Sequence, residues 1–391
     1  MPWKETSAMD QRIQLIADWL SDDYHKSELC RIYGISRPTA DKWIRRYDQG
    51  GLQGLKELGR TPHHHPNQTA EELRALIVQT KLRRQKWGPK KVLDWLRRER
   101  PELKWPADST GGEILKRAGL VQTRKRRRRV APYNEPFGEC GAPNQSWSAD
   151  FKGDFLMGNG RRCYPLTISD NFSRYLLLCR ALERPRHEEV QPWFEWVFRQ
   201  AGPEVIRTDN GAPFASLALG GLSHLSKWWI KLGIKPERIK PGKPAQNGRH
   251  ERMHRTLKDA VAPQPDLQEQ QRQYNPFQEE YNWERSHESL GRKTPGSVYC
   301  TSPRSYPAKL PEVQYESGLT VRKVRQNGEI KWRGQLLYLS EVLAKEPVGL
   351  KPIDDQKWEL RYSFHLLGIL DERNKTITPA VGWHGAKYSK V

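Results

Sequence analysis

The sequence predicts a multidomain protein with three kinds of structure. It has all-α helix-turn-helix units at the N-terminus, a central α/β core with a mixed sheet, and a small SH3-like β-barrel at the C-terminus. Apolar residues recur at helical spacing over residues 1–122, strand-like and helix-like runs alternate in the middle, and short alternating runs follow. Its 391 residues are too many for one typical core. We expect two helical domains at 1–60 and 61–122, a linker at 123–136, the core at 137–300 and the barrel at 301–391.

The charge balance favours a polyanionic partner. Lys and Arg number 67 against 46 Asp and Glu, so the net charge is +21. Nucleic acid is favoured over membrane, because no basic amphipathic helix with a large apolar face stands out. The five cysteines are scattered without a Cys-x-x-Cys pair, which argues against a zinc ribbon and a disulfide framework. With no long apolar run or signal-peptide pattern, we expect a soluble, cytoplasmic protein, associated with the nucleoid if it is bacterial.

Residues 1–60 predict a helix-turn-helix. Ile13, Ile16, Ala17 and Leu20 are spaced for one buried stripe, and the Gly34–Ser36 turn separates two later helices. A major groove could admit the helix after this turn, whose first turn would face base edges. A plain helical hairpin with a solvated basic face is the alternative. The candidate DNA-binding residues of this helix are Arg37, Thr39, Lys42, Arg45 and Arg46.

Residues 50–66 read as a linker, in which His63-His64-His65 lacks the further ligands that a metal site would need. Residues 69–122 predict a second helical unit, interrupted at Trp87-Gly88-Pro89 and again at Pro106 and Gly111-Gly112. The sequence does not separate a DNA-binding role for this unit from a structural one. A block of six cations follows, which is either a solvated linker or an arm on the phosphate backbone; it consists of Arg124, Lys125, Arg126, Arg127, Arg128 and Arg129.

Three acids stand out in the predicted core. Asp150 lies in a strand-like run, Asp209 follows the short apolar run Val205-Ile206, and Glu251 lies in a helix-like segment rich in Arg and His. Mg²⁺ binds a few carboxylates and leaves room for water and substrate phosphate. Two such ions could stabilise both the attacking and the leaving oxygen of a displacement at phosphorus. Each acid also has an ordinary interpretation: a strand-end acid, an Asx turn, and a surface acid paired with Arg255.

Five ordered motifs resemble the catalytic core of DDE transposases and retroviral-type integrases, and in particular bacterial insertion-sequence transposases. They are Trp147-x-x-Asp150; Asp209-Asn210-Gly211 with Pro213-Phe214; Pro241-x-Lys243-Pro244-x-Gln246-Asn247-Gly248; Glu251 with Lys258; and Tyr281-Asn282-x-x-Arg285-x-His287-x-x-Leu290-Gly291 with Thr294-Pro295. A single Asp-Asn-Gly would mean little, but five motifs in order are a strong signal. The resemblance covers roughly residues 137–300.

The resemblance implies a ribonuclease-H-like core that cleaves DNA at the ends of a mobile element and joins the freed 3′-OH to target DNA. Asp150, Asp209 and Glu251 would hold two Mg²⁺ ions, for which Mn²⁺ could substitute. The family further implies contact with double-stranded DNA and a homo-oligomer of two or more copies on it. We expect DNA contacts from Arg255 and Lys258, and either DNA contacts or helix capping from Gln246 and Asn247.

Some residues depart from the family pattern or compete with the triad. The interval between Asp209 and Glu251 is longer than usual, and we place the extra residues in a loop at 215–224. Ser286 stands where the family often has Pro. Asp154 and Asp170 read as turn or strand-end acids, and His250 and His254 as neighbours of the site rather than ligands. None of these departures removes a carboxylate.

The C-terminal segment predicts short strands with a basic rim. Asn327-Gly328 is a two-residue hairpin signal. Further strand-like runs follow at 348–353, 358–364 and 366–370. The rim includes Arg322 and Lys323, and the resemblance implies that such a barrel lies against DNA. The alternative is a barrel that only packs on the core.

Overall fold

The computed structural model describes residues 7–59, 68–121, 140–240 and 244–380. The chain forms two compact units, Met1–Thr69 and Ala70–Val391. The His63–His65 triplet and the basic block Arg124–Arg129 lie outside the described residues. No helix in the four described ranges has both the length and the apolarity needed to cross a bilayer.

The first unit is a bundle of three helices, α1 (Ala8–Leu20), α2 (Lys26–Ile32) and α3 (Arg37–Gly54). Its core includes Leu15, Ile16, Leu29, Trp43 and Ile44. The predicted stripe on α1 is mostly wrong, because Ile13, Ala17 and Leu20 are exposed and only Ile16 of the four is buried, next to Leu15. Helix α3 also runs beyond its predicted end at Tyr47, with a break at Gly51, and Leu55 after it is fully buried. The linker therefore begins later than expected.

Three helices open the second unit: α4 (Glu71–Arg83), α5 (Pro89–Glu99) and α6 (Asp108–Arg117). The predicted break at Trp87-Gly88-Pro89 is confirmed, since Pro89 is the first residue of α5. The predicted break at Gly111-Gly112 is wrong, because both glycines lie inside α6. A Cβ at Gly111 would lie 2.7 Å from a side-chain carbon of Leu93, so this glycine serves the close approach of α5 and α6.

The centre of the chain forms a six-stranded mixed sheet. Its strands are β1 (Ser146–Phe151), β2 (Phe155–Leu156), β3 (Arg162–Asp170), β4 (Leu176–Leu182), β5 (Val205–Thr208) and β6 (Lys235–Arg238). Strand β3 pairs antiparallel with β1, β2 and β4, whereas β1, β5 and β6 run parallel. With helices on both faces, this is the predicted ribonuclease-H-like arrangement.

The two faces of this sheet are covered by different helices. On one face, α7 (His187–Phe198) and α8 (His224–Lys231) pack in a cluster that contains Trp147, Ala149, Leu166 and Ile168. On the other face, α9 (Gly248–Ala260) and α10 (Leu267–Glu279) pack against β3 and β4. A π-helical turn, Glu280–Glu284, continues α10, and the one-turn helix α11 (Pro295–Val298) follows.

The C-terminal region consists of two separate sheets. One has five antiparallel strands: β7 (Thr320–Lys323), β10 (Pro347–Asp354), β11 (Lys357–Tyr362), β12 (His365–Asp371) and β13 (Thr376–Pro379). The other is a hairpin of β8 (Glu329–Trp332) and β9 (Gln335–Tyr338). The predicted closed barrel is not confirmed, since these described strands form two open sheets. The turn of this hairpin is Arg333-Gly334. Asn327-Gly328 also lies in a tight turn, in which the Gly328 amide donates to the Arg325 carbonyl oxygen at 3.0 Å, but β7 before this turn pairs with β10 rather than with β8.

The segment predicted as an inserted loop, residues 215–224, packs against the C-terminal sheets. Residues Leu219–Gly221 form a single 3-10 turn, in which Leu219 is buried together with Leu222 and Ile230 in the C-terminal apolar cluster. The imidazole Nε2 of His365 lies 3.1 Å from the carbonyl oxygen of Gly220. The extra residues between Asp209 and Glu251 therefore serve as a packing surface.

Candidate active site

Strand alternation directs Asp150 toward α9. Successive side chains of a strand point to opposite faces of its sheet. Trp147 and Ala149 lie in the cluster under α7 and α8, so Asp150 points to the other face. On the neighbouring strand β3, which pairs Thr167 with Asp150, the same rule directs Thr167 and Ser169 toward α9. Polar side chains on two strands therefore meet one face of that helix.

Asp209 directly follows strand β5, the parallel neighbour of β1. Parallel strands end at the same edge of a sheet, which places Asp209 near Asp150. The Asp209 carboxylate accepts a hydrogen bond from the amide of Gly211 at 3.0 Å. A Cβ at Gly211 would lie 3.1 Å from the second carboxylate oxygen, so the turn leaves little space for a side chain there. The Asx turn that the sequence indicates therefore exists and also orients the acid.

Glu251 lies in the first turn of α9 and its side chain is exposed. The three acids share one electrostatic environment. Burial first, then the charge of Asp209 and finally that of Glu251 together raise the pKa of Asp150 to about 7, while the Phe151 amide and Lys152 oppose the shift. Asp209 and Glu251 therefore lie close enough to Asp150 for their charges to affect its ionisation.

A hydrogen-bonded network that the sequence reasoning missed lies beneath Asp150. The hydroxyl of Thr167 lies 2.7 Å from Nε2 of His250 and 2.7 Å from Nε2 of His254, and it donates to the main-chain oxygen of Asp150 at 3.1 Å. Ser169 Oγ lies 2.8 Å from Nδ1 of His250. Two histidines four residues apart on a helix face were the available signal. The network fixes α9 to β3 and to the main chain of Asp150.

Both histidines are buried, and burial lowers the pKa of His250 to about 3. The pKa of His254 falls to about 2, by burial first and then by the neighbouring His250 and Lys152. Both imidazoles are therefore neutral at pH 7, and each has one protonated and one unprotonated ring nitrogen.

Asn247 also lies within this site. It precedes α9 and is buried, and its Nδ2 donates a long 3.4 Å hydrogen bond to Oδ2 of Asp150. Among the described residues its Oδ1 is buried without a hydrogen-bond partner. Its side chain makes no capping bond to the helix. Gln246 accepts a hydrogen bond at 2.7 Å from the Lys240 amide.

The other predicted DNA-binding residues lie on accessible surfaces. Arg255 and Lys258 are exposed on α9. On α3, Arg37, Lys42 and Arg45 are exposed, while Thr39 is half-buried beside Ser36. Arg46 has a structural partner, because it donates to the Lys56 carbonyl oxygen at 2.9 Å and lies over Trp43. The remaining two are exposed on β7 and are Arg322 and Lys323.

The α4–α6 helices are fixed to the core close to α9. Trp87 donates its indole N–H to Glu280 at 2.9 Å, and Arg84 forms ion pairs with Glu280 and Glu284. A groove at this junction is rich in cations and extends along α9. Its basic residues are Arg83, Arg84, Lys86, Arg252, Arg255 and Arg285.

The residues of the site fit a divalent metal ion. Carboxylates are ligands that Mg²⁺ and Mn²⁺ accept. The buried Oδ1 of Asn247 is a further oxygen ligand without a hydrogen-bond donor among the described residues. The proximity of three acids also costs electrostatic energy that a cation would offset.

Models of known protein families match most of the described chain. An integrase core domain matches residues 141–244, and a second integrase core model matches residues 232–295. Together they contain Asp150, Asp209 and Glu251. Residues 141–295 therefore contain an integrase core domain. A helix-turn-helix domain matches residues 11–63, which contain most of α1 and all of α2 and α3, and a homeodomain-like domain matches residues 39–115. This integrase-core protein therefore carries helix-turn-helix DNA-binding units, and integrase cores depend on divalent metal.

Two insertion-element proteins are similar to this integrase-core protein over 62% of its chain. A 31.7 kDa protein of insertion element IS407 from Burkholderia multivorans is 28% identical over 260 residues, which are 86% of its length. A 39.2 kDa protein of insertion element IS476 from Xanthomonas euvesicatoria is 27% identical over 258 residues, 69% of its length. Among solved structures, the HTLV-2 integrase catalytic core in complex with magnesium matches 41% of this chain at 16% identity. Its TM-score of 0.33 supports no inference about this protein.

Proposed function

We propose that this protein binds the terminal inverted repeats of its own mobile element, cleaves the phosphodiester at each end, and transfers the freed 3′-OH into target DNA. The observation that carries the proposal is the convergence of Asp209 and Glu251 on the half-buried carboxyl of Asp150, whose pKa both charges raise. Such convergence at the edge of a mixed sheet is what binding of divalent metal and phosphate requires. The bacterial cytoplasm is the proposed location.

Asp150, Asp209 and Glu251 would hold two Mg²⁺ ions, or Mn²⁺ in their place. The bound ions would supply a nucleophilic water and stabilise charge on the phosphate oxygens. The chain itself contributes rigid positions: β1 and β5 hold two acids at one sheet edge, and α9 holds the third. Because one phosphodiester replaces another, strand transfer needs no nucleotide cofactor.

The DNA would approach along α9 and the neighbouring groove. Arg255 and Lys258 follow Glu251 on the same helix, so backbone phosphates that leave the site would meet them. The groove between α4–α6 and the core continues this basic surface. Helix α3 would read the element end, and the basic residues of β7 and the block 124–129 would add contacts to phosphates. The two ends must be brought together before transfer, so we propose a dimer or larger assembly on DNA.

Purified full-length protein and labelled DNA from the ends of its element test this proposal. The wild type is expected to nick the end and form joined products in Mg²⁺. The variants Glu251→Gln and Asp209→Asn should still bind the end, but should cleave it at a rate lower by several orders of magnitude. Asp154→Asn is the matched control, because this neighbouring acid pairs with Arg162 outside the site. Binding without cleavage by the wild type, even in Mn²⁺, would favour a DNA-binding regulator. Cleavage without joined products would favour a nuclease.

A further inference from the structure

The protons of the network beneath Asp150 can be assigned from its geometry. Thr167 has one hydroxyl proton and three partners within hydrogen-bond distance. The main-chain oxygen of Asp150 can only accept, so all three bonds form together only when Thr167 donates to it and accepts from both histidines. His250 and His254 therefore each carry their proton on Nε2. Each Nδ1 has a lone pair.

The two Nδ1 lone pairs have different surroundings. Nδ1 of His250 lies 2.8 Å from the Ser169 hydroxyl, which donates to it. Nδ1 of His254 instead faces Oδ2 of Asp150 at 4.0 Å. Two atoms that both accept hydrogen bonds thus face each other, at a distance too long for a shared proton. His250, although within 4.8 Å of both groups, has both ring nitrogens occupied.

The 4.0 Å separation suits a metal ion between the two atoms. Metal bonds to nitrogen and oxygen are about 2.0–2.2 Å, so two ligands of one ion lie at most about 4.4 Å apart. Both sides of this gap are held by the structure. Thr167 orients His254, and strand β1 positions Asp150.

Asn247 supplies a third oxygen at the same place. Its Nδ2 lies 3.4 Å from Oδ2 of Asp150, and its buried Oδ1 has no partner among the described residues. Rotating the amide would exchange the two atoms but would place oxygen against carboxylate. Asn247, Glu251 and His254 are four and three residues apart, so they share one face of the helix. A cation beside Asp150 would satisfy the amide oxygen.

We propose that Nδ1 of His254 and Oδ1 of Asn247 are ligands of the divalent ion held by Asp150, so that this ion has a nitrogen ligand besides its carboxylates. The inference rests on the proposed function, because it concerns the same metal site. An imidazole ligand favours the later divalent metals over Mg²⁺. The site should therefore prefer Mn²⁺ to Mg²⁺ more strongly than an all-oxygen site would.

Pulsed electron paramagnetic resonance of Mn²⁺ bound to tag-free, full-length protein tests the nitrogen ligand directly. Directly bonded nitrogen couples to the Mn²⁺ electron spin, and labelling histidine with ¹⁵N changes the coupling without any mutation. The expected result is a coupling that changes from ¹⁴N to ¹⁵N type on labelling and disappears in Asp150→Asn. Mn²⁺ bound at His63–His65 would still show histidine coupling in Asp150→Asn, so loss of the coupling in this variant also excludes that source. His254→Gln should lose the coupling and bind Mn²⁺ roughly 10- to 100-fold more weakly, while Thr167→Ser should keep both properties.

Bound Mn²⁺ without histidine coupling in the wild type would overturn the proposed His254 ligand. So would a coupling that survives in a folded His254→Gln variant. The proposed function has a separate test, since end cleavage that requires Glu251 would still stand in either case. If Mn²⁺ binding does not depend on Asp150 and no end is cut, both proposals fail.

Discussion

Arg292 binds Asp108 through both guanidinium Nη atoms. Nη1 lies 2.8 Å from Oδ2 and Nη2 lies 3.1 Å from Oδ1. The same guanidinium pairs with Asp94, whose carboxylate also accepts a hydrogen bond from Ser286 at 2.6 Å. Ser286 and Arg292, which follow α10 in the chain, thus bind side chains of α5 and α6. These contacts give the helices α4–α6 a structural role, whether or not the same helices also bind DNA.

A double-mutant cycle of Arg292→Ala and Asp108→Asn should show a coupling of about 0.5–1 kcal/mol in the free energy of unfolding. The value is modest because the Arg292 side chain is 39% exposed, so solvent screens the pair. Lys90 and Glu288 are the control pair: they join α5 to the same segment after α10 at 3.4 Å but are mostly exposed, and should couple near zero. Chemical denaturation measures both cycles. Equal couplings would contradict the structural role of the Arg292 pair.

The order of the elements and the positions of the three acids on them could be predicted, because local sequence patterns determine both. Each acid has its own motif, and strand alternation indicates which face Asp150 occupies. The Thr167–His254 contact could not be predicted, since it joins residues 87 positions apart that have no distinctive local sequence. The partner of β7 could not be predicted for a related reason: Asn327-Gly328 forms the tight turn that it favours, yet β7 pairs with β10, a strand that lies more than 20 residues later. The local signal thus predicted the turn, whereas tertiary packing determined which strand pairs with β7.

Metal-free protein should become less stable relative to Asp150→Asn as pH rises. The folded-state pKa of Asp150 is raised from 3.8 to about 7 by burial first and then by Asp209. A raised carboxyl pKa stabilises the fold fully below pH 3.8, and this stability is lost between about 4 and 7. The change in the stability difference between pH 4 and pH 8 should reach up to about 4 kcal/mol in favour of the variant.

Thermal or chemical unfolding in EDTA at several pH values measures this difference. The buried His250 and His254 lower the stability of both proteins below about pH 6.5, because their pKa values are lowered on folding, so only the difference between the two proteins isolates Asp150. Adding Mn²⁺ at pH 8 should stabilise the wild type more than the variant. A pH-independent difference would show that Asp150 does not titrate as stated.

Thr167→Val should destabilise the second unit by about 2–4 kcal/mol with little change in side-chain volume. The valine leaves Nε2 of His250, Nε2 of His254 and the main-chain oxygen of Asp150 without their shared hydroxyl. Thr167→Ser retains the hydroxyl and should lose less than about 1 kcal/mol. Denaturation midpoints give the comparison. Valine and serine variants of equal stability would show that the hydroxyl bonds contribute little.

Arg45→Ala and Arg46→Ala should separate DNA contact from stability on one helix. Arg45 is exposed on α3, so its loss should weaken binding to all DNA sequences and reduce the salt slope of log K by about 1 if it contacts a phosphate. Arg46 donates to the Lys56 carbonyl oxygen and lies 4.9 Å from the ring centre of Trp43, so its loss should lower the stability of the first unit by about 1 kcal/mol. Binding isotherms at several salt concentrations, with unfolding curves of the same variants, measure both effects. A reduced salt slope in Arg46→Ala but not in Arg45→Ala would reverse the two roles and place the other side of α3 against DNA.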